Sequence, residues 1–106
     1  MANAKLFDRV GMTVLGTPGT GTITLGSASA GYRSFADASV ATGSLVSYLI
    51  EDGVAWEYGT GTYTVTGTTL ARTTVTASSA GGTTKISATS SAVVYITALT
   101  ADLAQY

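Results

Sequence analysis

Short β-prone segments separated by glycine run through this chain, and they constrain its fold more than any other feature. Thr22 to Leu25 alternates polar and apolar residues with a period of two, as a half-buried strand does. Three further segments have strand character: Val10 to Leu15, Lys85 to Ala88 and Ala92 to Ala98. Ser34 to Ser39 and Thr100 to Gln105 each suit a single helical turn. The pattern predicts an all-β fold, a single small antiparallel β-sandwich or barrel-like domain.

The length of the chain limits it to one domain, because 106 residues support one hydrophobic core and not two. Residues 1–9 carry mixed charge and bulk before the first strand, and we expect them to form a short N-terminal arm. Residues 10–106 are expected to form the single β domain. Leu6 and Phe7 indicate that the arm docks, and the sequence leaves open whether it docks on a neighbour or on its own domain.

Asp52-Gly53, between two apolar runs, is the clearest turn signal in the chain. It favours a two-residue type I′ hairpin that places Leu49 opposite Trp56. One face of this hairpin then carries Leu49, Trp56 and Tyr58, and the other face, with Val46, Tyr48 and Ile50, is also apolar. A sheet with one wet face alternates cleanly, so we expect both faces to be covered.

Gly67-Thr68 suits a type II′ turn, with Gly in first position. The resulting hairpin places Val65 opposite Leu70 and Tyr63 opposite Arg72. In this register the Arg72 guanidinium lies beside an aromatic ring.

Residue types exclude most catalytic chemistry. The chain has no His and no Cys, which removes the commonest general base and the thiolate nucleophile. Glu51, Asp52 and Glu57 are the candidates for a glycosidase carboxylate pair. In the predicted register Glu51 and Glu57 fall on opposite faces, and Asp52 serves the turn. We therefore predict that the chain is not an enzyme and has no catalytic residue, no cofactor, no small-molecule substrate and no metal site.

Charge is sparse, with 5 basic and 6 acidic side chains and a net charge of -1. No basic footprint for nucleic acid exists, and no apolar run has the roughly 20 residues of a membrane helix. The N-terminus lacks the apolar stretch of a signal peptide, so we expect synthesis in the cytoplasm. A surface with a net charge near zero promotes association. Few Lys residues are present to prevent exposed strand edges from pairing with another chain. We predict a homo-oligomer that is covered by other subunits.

Several segments carry a resemblance to a known group of proteins: Phe7 to Val10, Gly19 to Leu25, Gly31 to Phe35, Ile50 to Gly53, Trp56 to Gly59, Gly61 to Thr64 and Thr68 to Val75. Over almost the whole chain they resemble small virion structural proteins of tailed bacteriophages and the N-terminal modules of phage tail-fibre-like proteins. The resemblance implies a protein of the virion, assembled in the host cytoplasm, that contacts other capsid or tail proteins. It carries no catalytic residues to transfer.

The sequence departs from this group at two places. Gly11 to Leu15 stands where the group has a polar Thr run, and the chain ends at Tyr106 where fibre proteins continue. From the second departure we expect a capsid decoration or cement role, with a tail- or head-fibre attachment (adaptor) module as the alternative. A carbohydrate-binding module for host surface glycans is a further alternative.

The candidate partner-binding residues come from the arm and from the central hairpin: Leu6, Phe7, Asp8, Arg9, Trp56 and Tyr58. Trp56 with Tyr58 suits an aromatic platform for sugars, but a core or interface role explains the same residues. Arg33 is either a contact residue or a solvated loop charge.

Overall fold

The protein is a closed barrel of six strands, and every second side chain along the strands points into it. The computed structural model describes residues 5–103, and every neighbouring pair of strands around the barrel is antiparallel. The elements are β1 (Gly11–Leu15), β2 (Ile23–Ala28), β3 (Leu45–Asp52), β4 (Ala55–Thr64), β5 (Thr69–Ser78), β6 (Val93–Ile96) and the single helical turn α1 (Thr100–Leu103). Their order around the barrel is β1-β2-β5-β4-β3-β6. The predicted all-β, antiparallel, barrel-like fold is confirmed.

The core lies inside the barrel and beneath the connection from β2 to β3. Its fully buried members include Ile23, Leu25, Phe35, Val46, Tyr48, Ile50, Leu70 and Val94. Phe35 belongs to the β2–β3 connection, and its ring lies 4.9 Å from the ring of Tyr63. Burial of each large apolar side chain contributes about 1.5–3 kcal/mol, so the connection that carries Phe35 is part of the core.

The β3–β4 hairpin forms as predicted, but its turn is shifted along the chain. Asp52 pairs with Ala55, so Gly53-Val54 makes the turn and Asp52-Gly53 does not. Gly53 has a φ of 63°, and Gly in first turn position favours a type II′ turn. The predicted pairing of Leu49 with Trp56 is therefore wrong.

Asp52, which the shift places in β3, also has a contact from outside the hairpin. The Asp52 carboxylate accepts hydrogen bonds from the Thr89 amide at 2.7 Å and from the Thr89 hydroxyl at 2.9 Å. In β3, Leu49 pairs with Tyr58, two residues beyond its predicted partner. Because strand side chains alternate, a shift of two residues leaves every side chain on its predicted face.

The β4–β5 hairpin also differs from the predicted register. Tyr63 pairs with Leu70, so the predicted pairing of Val65 with Leu70 is wrong. The amide of Thr68 donates to the carbonyl of Val65 at 3.0 Å, which closes a longer turn than Gly67-Thr68 alone.

Lys85 to Ala88 is not a strand, contrary to the prediction. Ile86 and Ala88 are buried, but the segment pairs with a neighbour only at an isolated bridge between Ala88 and Gly19. The Ile86 amide donates to the Glu57 carboxylate at 2.9 Å. A side chain therefore satisfies the backbone group that a neighbouring strand would otherwise bind.

Both ends of the described chain attach to the start of β3. The Lys5 amide donates to the Leu45 carbonyl at 2.7 Å, and Phe7 packs against the core. At the other end the Asp102 carboxylate accepts a hydrogen bond from the Ser47 hydroxyl at 2.8 Å. Within one chain, the described part of the arm docks on its own domain.

Candidate functional site

Glu57 and Arg72 form an ion pair inside the barrel, where their exposed fractions are 0% and 5%. Arg72 Nη2 lies 2.9 Å from Glu57 Oε1, and Arg72 Nε lies 3.0 Å from Oε2, a bidentate pairing. The carboxylate also accepts hydrogen bonds from the Tyr48 hydroxyl at 2.6 Å and from the Ile86 amide at 2.9 Å. These four hydrogen bonds satisfy the Glu57 carboxylate with partners inside the protein.

The rest of the Arg72 guanidinium binds main-chain carbonyls. It donates to the carbonyls of Gly19 at 2.7 Å, Gly21 at 3.3 Å and Ile86 at 2.8 Å. Hydrogen bonds from Arg72 therefore link the inside of the barrel to the loop between β1 and β2 and to the segment before β6. The sequence prediction placed Arg72 beside Tyr63 and missed this network.

The carboxylates considered for catalysis do not converge. Glu57 is buried and Glu51 is exposed, so their predicted separation onto opposite faces is confirmed. Asp52 is engaged by Thr89. Within residues 5–103, no group of three acidic side chains is placed to hold a metal ion.

Burial raises the pKa of Tyr48 well above its ordinary value, and the hydrogen bond to Glu57 and the charge of that carboxylate add to the effect. The charge of Arg72 acts in the opposite direction. The Tyr48 phenol therefore stays protonated in the folded state at pH values where an unfolded chain has lost this proton.

This difference predicts a loss of stability in alkali. The contribution of Tyr48 to the free energy of unfolding is fully present below pH 10.0, the ordinary pKa of the phenol. It declines as the pH rises toward the raised pKa of the folded state, because the folded chain then keeps a proton that the unfolded chain releases. Replacing Tyr48 with Phe removes this contribution, about 1.4 kcal/mol per pH unit. Urea unfolding above pH 10.0 should show a steeper decline in the parent and in a Tyr58→Phe control than in Tyr48→Phe. Equal slopes in all three would contradict the prediction.

Trp56 and Tyr58 form an aromatic pair on the outside of β4. Their ring centroids lie 5.8 Å apart with an interplanar angle of 13°, and Trp56 is 39% exposed. Beside Tyr58 a surface cleft of about 290 Å³ is lined by Leu49, Leu99 and threonine side chains. Because Trp56 is exposed, it is not a core residue of a single chain. A role in an interface with another subunit and a role as a platform for sugars both remain open.

The arm residues Asp8 and Arg9 are held by main-chain and side-chain contacts with a second arginine. The Arg33 guanidinium donates to the Asp8 carbonyl at 3.1 Å, and the Arg33 amide donates to the Arg9 carbonyl at 2.8 Å. In return, Arg9 Nε donates to the Gly31 carbonyl at 3.0 Å. Arg33 therefore contacts its own chain and fixes the arm to the β2–β3 connection.

Arg9 lies at the mouth of a second surface cleft, of about 390 Å³. Its guanidinium carbon lies 4.1 Å from the centroid of the Tyr32 ring, and that ring lies 5.2 Å from Tyr95, edge to face. We call this feature the Arg9 cleft; its lining residues are Arg9, Val10, Tyr32, Leu49, Glu51, Tyr95, Ile96 and Thr97.

The structure divides the six predicted site residues between two places. Leu6, Phe7, Asp8 and Arg9 lie in the arm, where Arg9 reaches the Arg9 cleft and Phe7 packs on the core. Trp56 and Tyr58 lie together on β4. Sequence reasoning did not identify Tyr32 and Tyr95 as site residues, and it considered Glu51 only as a catalytic carboxylate. Gly11, beside strand-forming residues, is a sequence signal for a close approach of another segment to the backbone.

Comparison with protein-family models, with curated proteins and with solved structures gave no match to this chain. None of the helical structure in residues 5–103 is long and apolar enough to cross a membrane.

Proposed function

We propose that this chain is a non-enzymatic structural protein of a tailed-phage virion that acts as a capsid decoration or cement subunit. The resemblance of its segments to small phage virion proteins supplies the virion context. The observation that carries a binding role is the Trp56–Tyr58 pair, which lies partly exposed beside an apolar cleft. Stacked aromatic rings next to apolar surface are typical of interface anchors.

The distribution of charge supports association with other subunits. The barrel interior holds the Glu57–Arg72 pair, so two of the few charged side chains do not reach the outside. Exposed apolar side chains include Leu6, Leu15, Val54 and Val65. A surface with little charge offers little repulsion to a second subunit. The proposed mechanism is burial of this outer β surface, together with the arm, against neighbouring virion proteins.

Copy number in purified particles tests the proposed role. For the phage that encodes this chain, quantitative mass spectrometry and a cryo-EM map should find the protein on the capsid in numbers comparable to those of the capsid subunit. A small number of copies at the tail or at a head fibre would favour the adaptor role instead. Absence from intact particles would contradict the proposal.

Replacing Trp56 with Ala tests the anchor. Loss of a central aromatic anchor typically costs about 2 kcal/mol or more of binding free energy, so we expect binding of the purified variant to particles lacking the protein to fall by roughly thirtyfold. Val54→Ala is the matched control, because Val54 is also apolar and is 97% exposed at the tip of the β3–β4 turn. Equal binding by Trp56→Ala and the parent would exclude Trp56 from the interface.

A further inference from the structure

The Arg9 cleft brings a cation and an anion to one surface depression without pairing them. Arg9 and Glu51 both line it, yet among residues 5–103 the ion pair found within 4.0 Å is the buried one of Arg72 and Glu57. The Arg9 Nε atom is used by the Gly31 carbonyl, while its terminal nitrogens have no protein acceptor within the described chain. The cleft therefore contains both hydrogen-bond donors, from Arg9, and acceptors, from Glu51, with charges that cancel.

The backbone of Arg9, which lines the cleft, is strained. Arg9 has a φ of 59°, a conformation that costs a non-glycine residue of order 1–3 kcal/mol. It is held there by the Arg33 amide and the Gly31 carbonyl. Such strain is found preferentially where a side chain must be placed for binding.

Glycine at position 11 allows the aromatic part of the wall to form. A Cβ atom at Gly11 would lie 2.8 Å from the Tyr95 ring and 3.0 Å from the Tyr32 ring. Both rings therefore rest against the β1 backbone, and their edge-to-face packing fixes them beside Leu49. The cleft therefore combines aromatic surface with its two charged groups.

We propose that the Arg9 cleft binds a neutral saccharide. A hydroxyl group both donates and accepts, so sugar hydroxyls can donate to the Glu51 carboxylate and accept from the Arg9 guanidinium. The C–H face of the sugar ring packs on the Tyr95 ring. Because the charges of Arg9 and Glu51 cancel, the cleft offers no net electrostatic attraction to an ion of either sign. This proposal does not depend on the virion role proposed above.

The topology disfavours a peptide strand in the same place. Tyr95 pairs with Gly11 on one side and with Leu49 on the other, so β6 has no free edge at the cleft. Strand addition needs an open edge with unpaired backbone groups. A sugar binds through side chains alone and has no such requirement.

The test uses the full chain and a panel of neutral disaccharides, namely maltose, cellobiose, lactose and diacetylchitobiose, with sialyllactose as the acidic probe. Saturation-transfer NMR identifies any binder, and an amide chemical-shift titration locates it. We expect at least one neutral disaccharide to bind, with shifts centred on Tyr32, Glu51 and Tyr95. Glu51→Ala should weaken this binding at least about tenfold, the effect of losing one charge-assisted hydrogen bond.

Two further variants keep the test decisive. Arg9→Met should also weaken binding, and its thermal unfolding curve shows whether the arm contacts survive. Val65→Ala should leave the affinity unchanged, because Val65 is exposed in the β4–β5 turn and does not line the cleft. Binding by none of the neutral sugars, shifts centred on Trp56 and Tyr58, or preferential binding of sialyllactose that rises in Glu51→Gln would each overturn the proposal. Binding of an extended peptide at Tyr95 with no sugar binding would overturn it as well.

Discussion

Replacing Arg72 with Met is expected to lower the free energy of unfolding by about 3–5 kcal/mol, the range measured when one partner of a buried ion pair is removed. The variant leaves the Glu57 carboxylate without its cation in a site with 0% exposure. It also removes the donor from the carbonyls of Gly19, Gly21 and Ile86. Because a small domain has only about 5–15 kcal/mol of net stability, the variant should unfold at a much lower urea concentration than the parent. Urea titration followed by far-UV circular dichroism measures the change.

The control for this experiment is Lys85→Met, which removes an exposed cation from the segment that Arg72 fastens. It should change stability by no more than about 0.5 kcal/mol. Adding Glu57→Leu to Arg72→Met should recover part of the loss, because the second change removes the unpaired buried charge. A loss below about 1 kcal/mol in Arg72→Met would show that the pair contributes no more than an exposed one.

Replacing Gly59 with Ala is expected to destabilise the barrel by about 1–3 kcal/mol or more, the range for overpacking a tight interior. A Cβ atom at Gly59 would collide with the carbonyl oxygen of Thr74 and lie 3.0 Å from the amide nitrogen of Thr76. Both are backbone atoms of β5, so relief requires the two strands to separate at an existing irregularity of their register. Gly61→Ala should act similarly through the carbonyl of Ala71.

Thr60→Ala is the matched control, since Thr60 lies between these two glycines and its side chain points to the other face of β4. Its effect should stay below that of either glycine variant in the same urea titration. If Gly59→Ala is as stable as the parent, the close approach of β4 and β5 is not required by the fold.

The faces of the strands could be predicted from the sequence, whereas the pairings could not. Alternation alone assigned Tyr48 and Ile50 to one face and Leu49 and Tyr58 to the other, and burial agrees for the inner pair. The register depends on contacts between distant segments. Local turn preference allows both Asp52-Gly53 in a type I′ turn and Gly53-Val54 in a type II′ turn, and it does not include the hydrogen bonds that Asp52 accepts from Thr89.

The interior ion pair could have been predicted from the sequence by comparing the inward positions of two neighbouring strands. Glu57 has the strand parity of buried residues in β4, and Arg72 has the parity of Leu70 in β5. Two opposite charges at inward positions of strands that pair indicate a buried salt bridge. The Arg9 cleft is harder to predict from the sequence, because Tyr32 and Tyr95 are far apart along the chain and come into contact only when the barrel closes.

The attachment of both ends of the described chain to the start of β3 has a consequence for engineering. Lys5 bonds to Leu45 and Asp102 bonds to Ser47, so entry and exit lie side by side. A short linker can join them, and the chain can be reopened in the exposed loop at Gly81-Gly82 without cutting a strand. Circular permutation, or insertion of the whole barrel into a surface loop of another protein, should therefore preserve the fold.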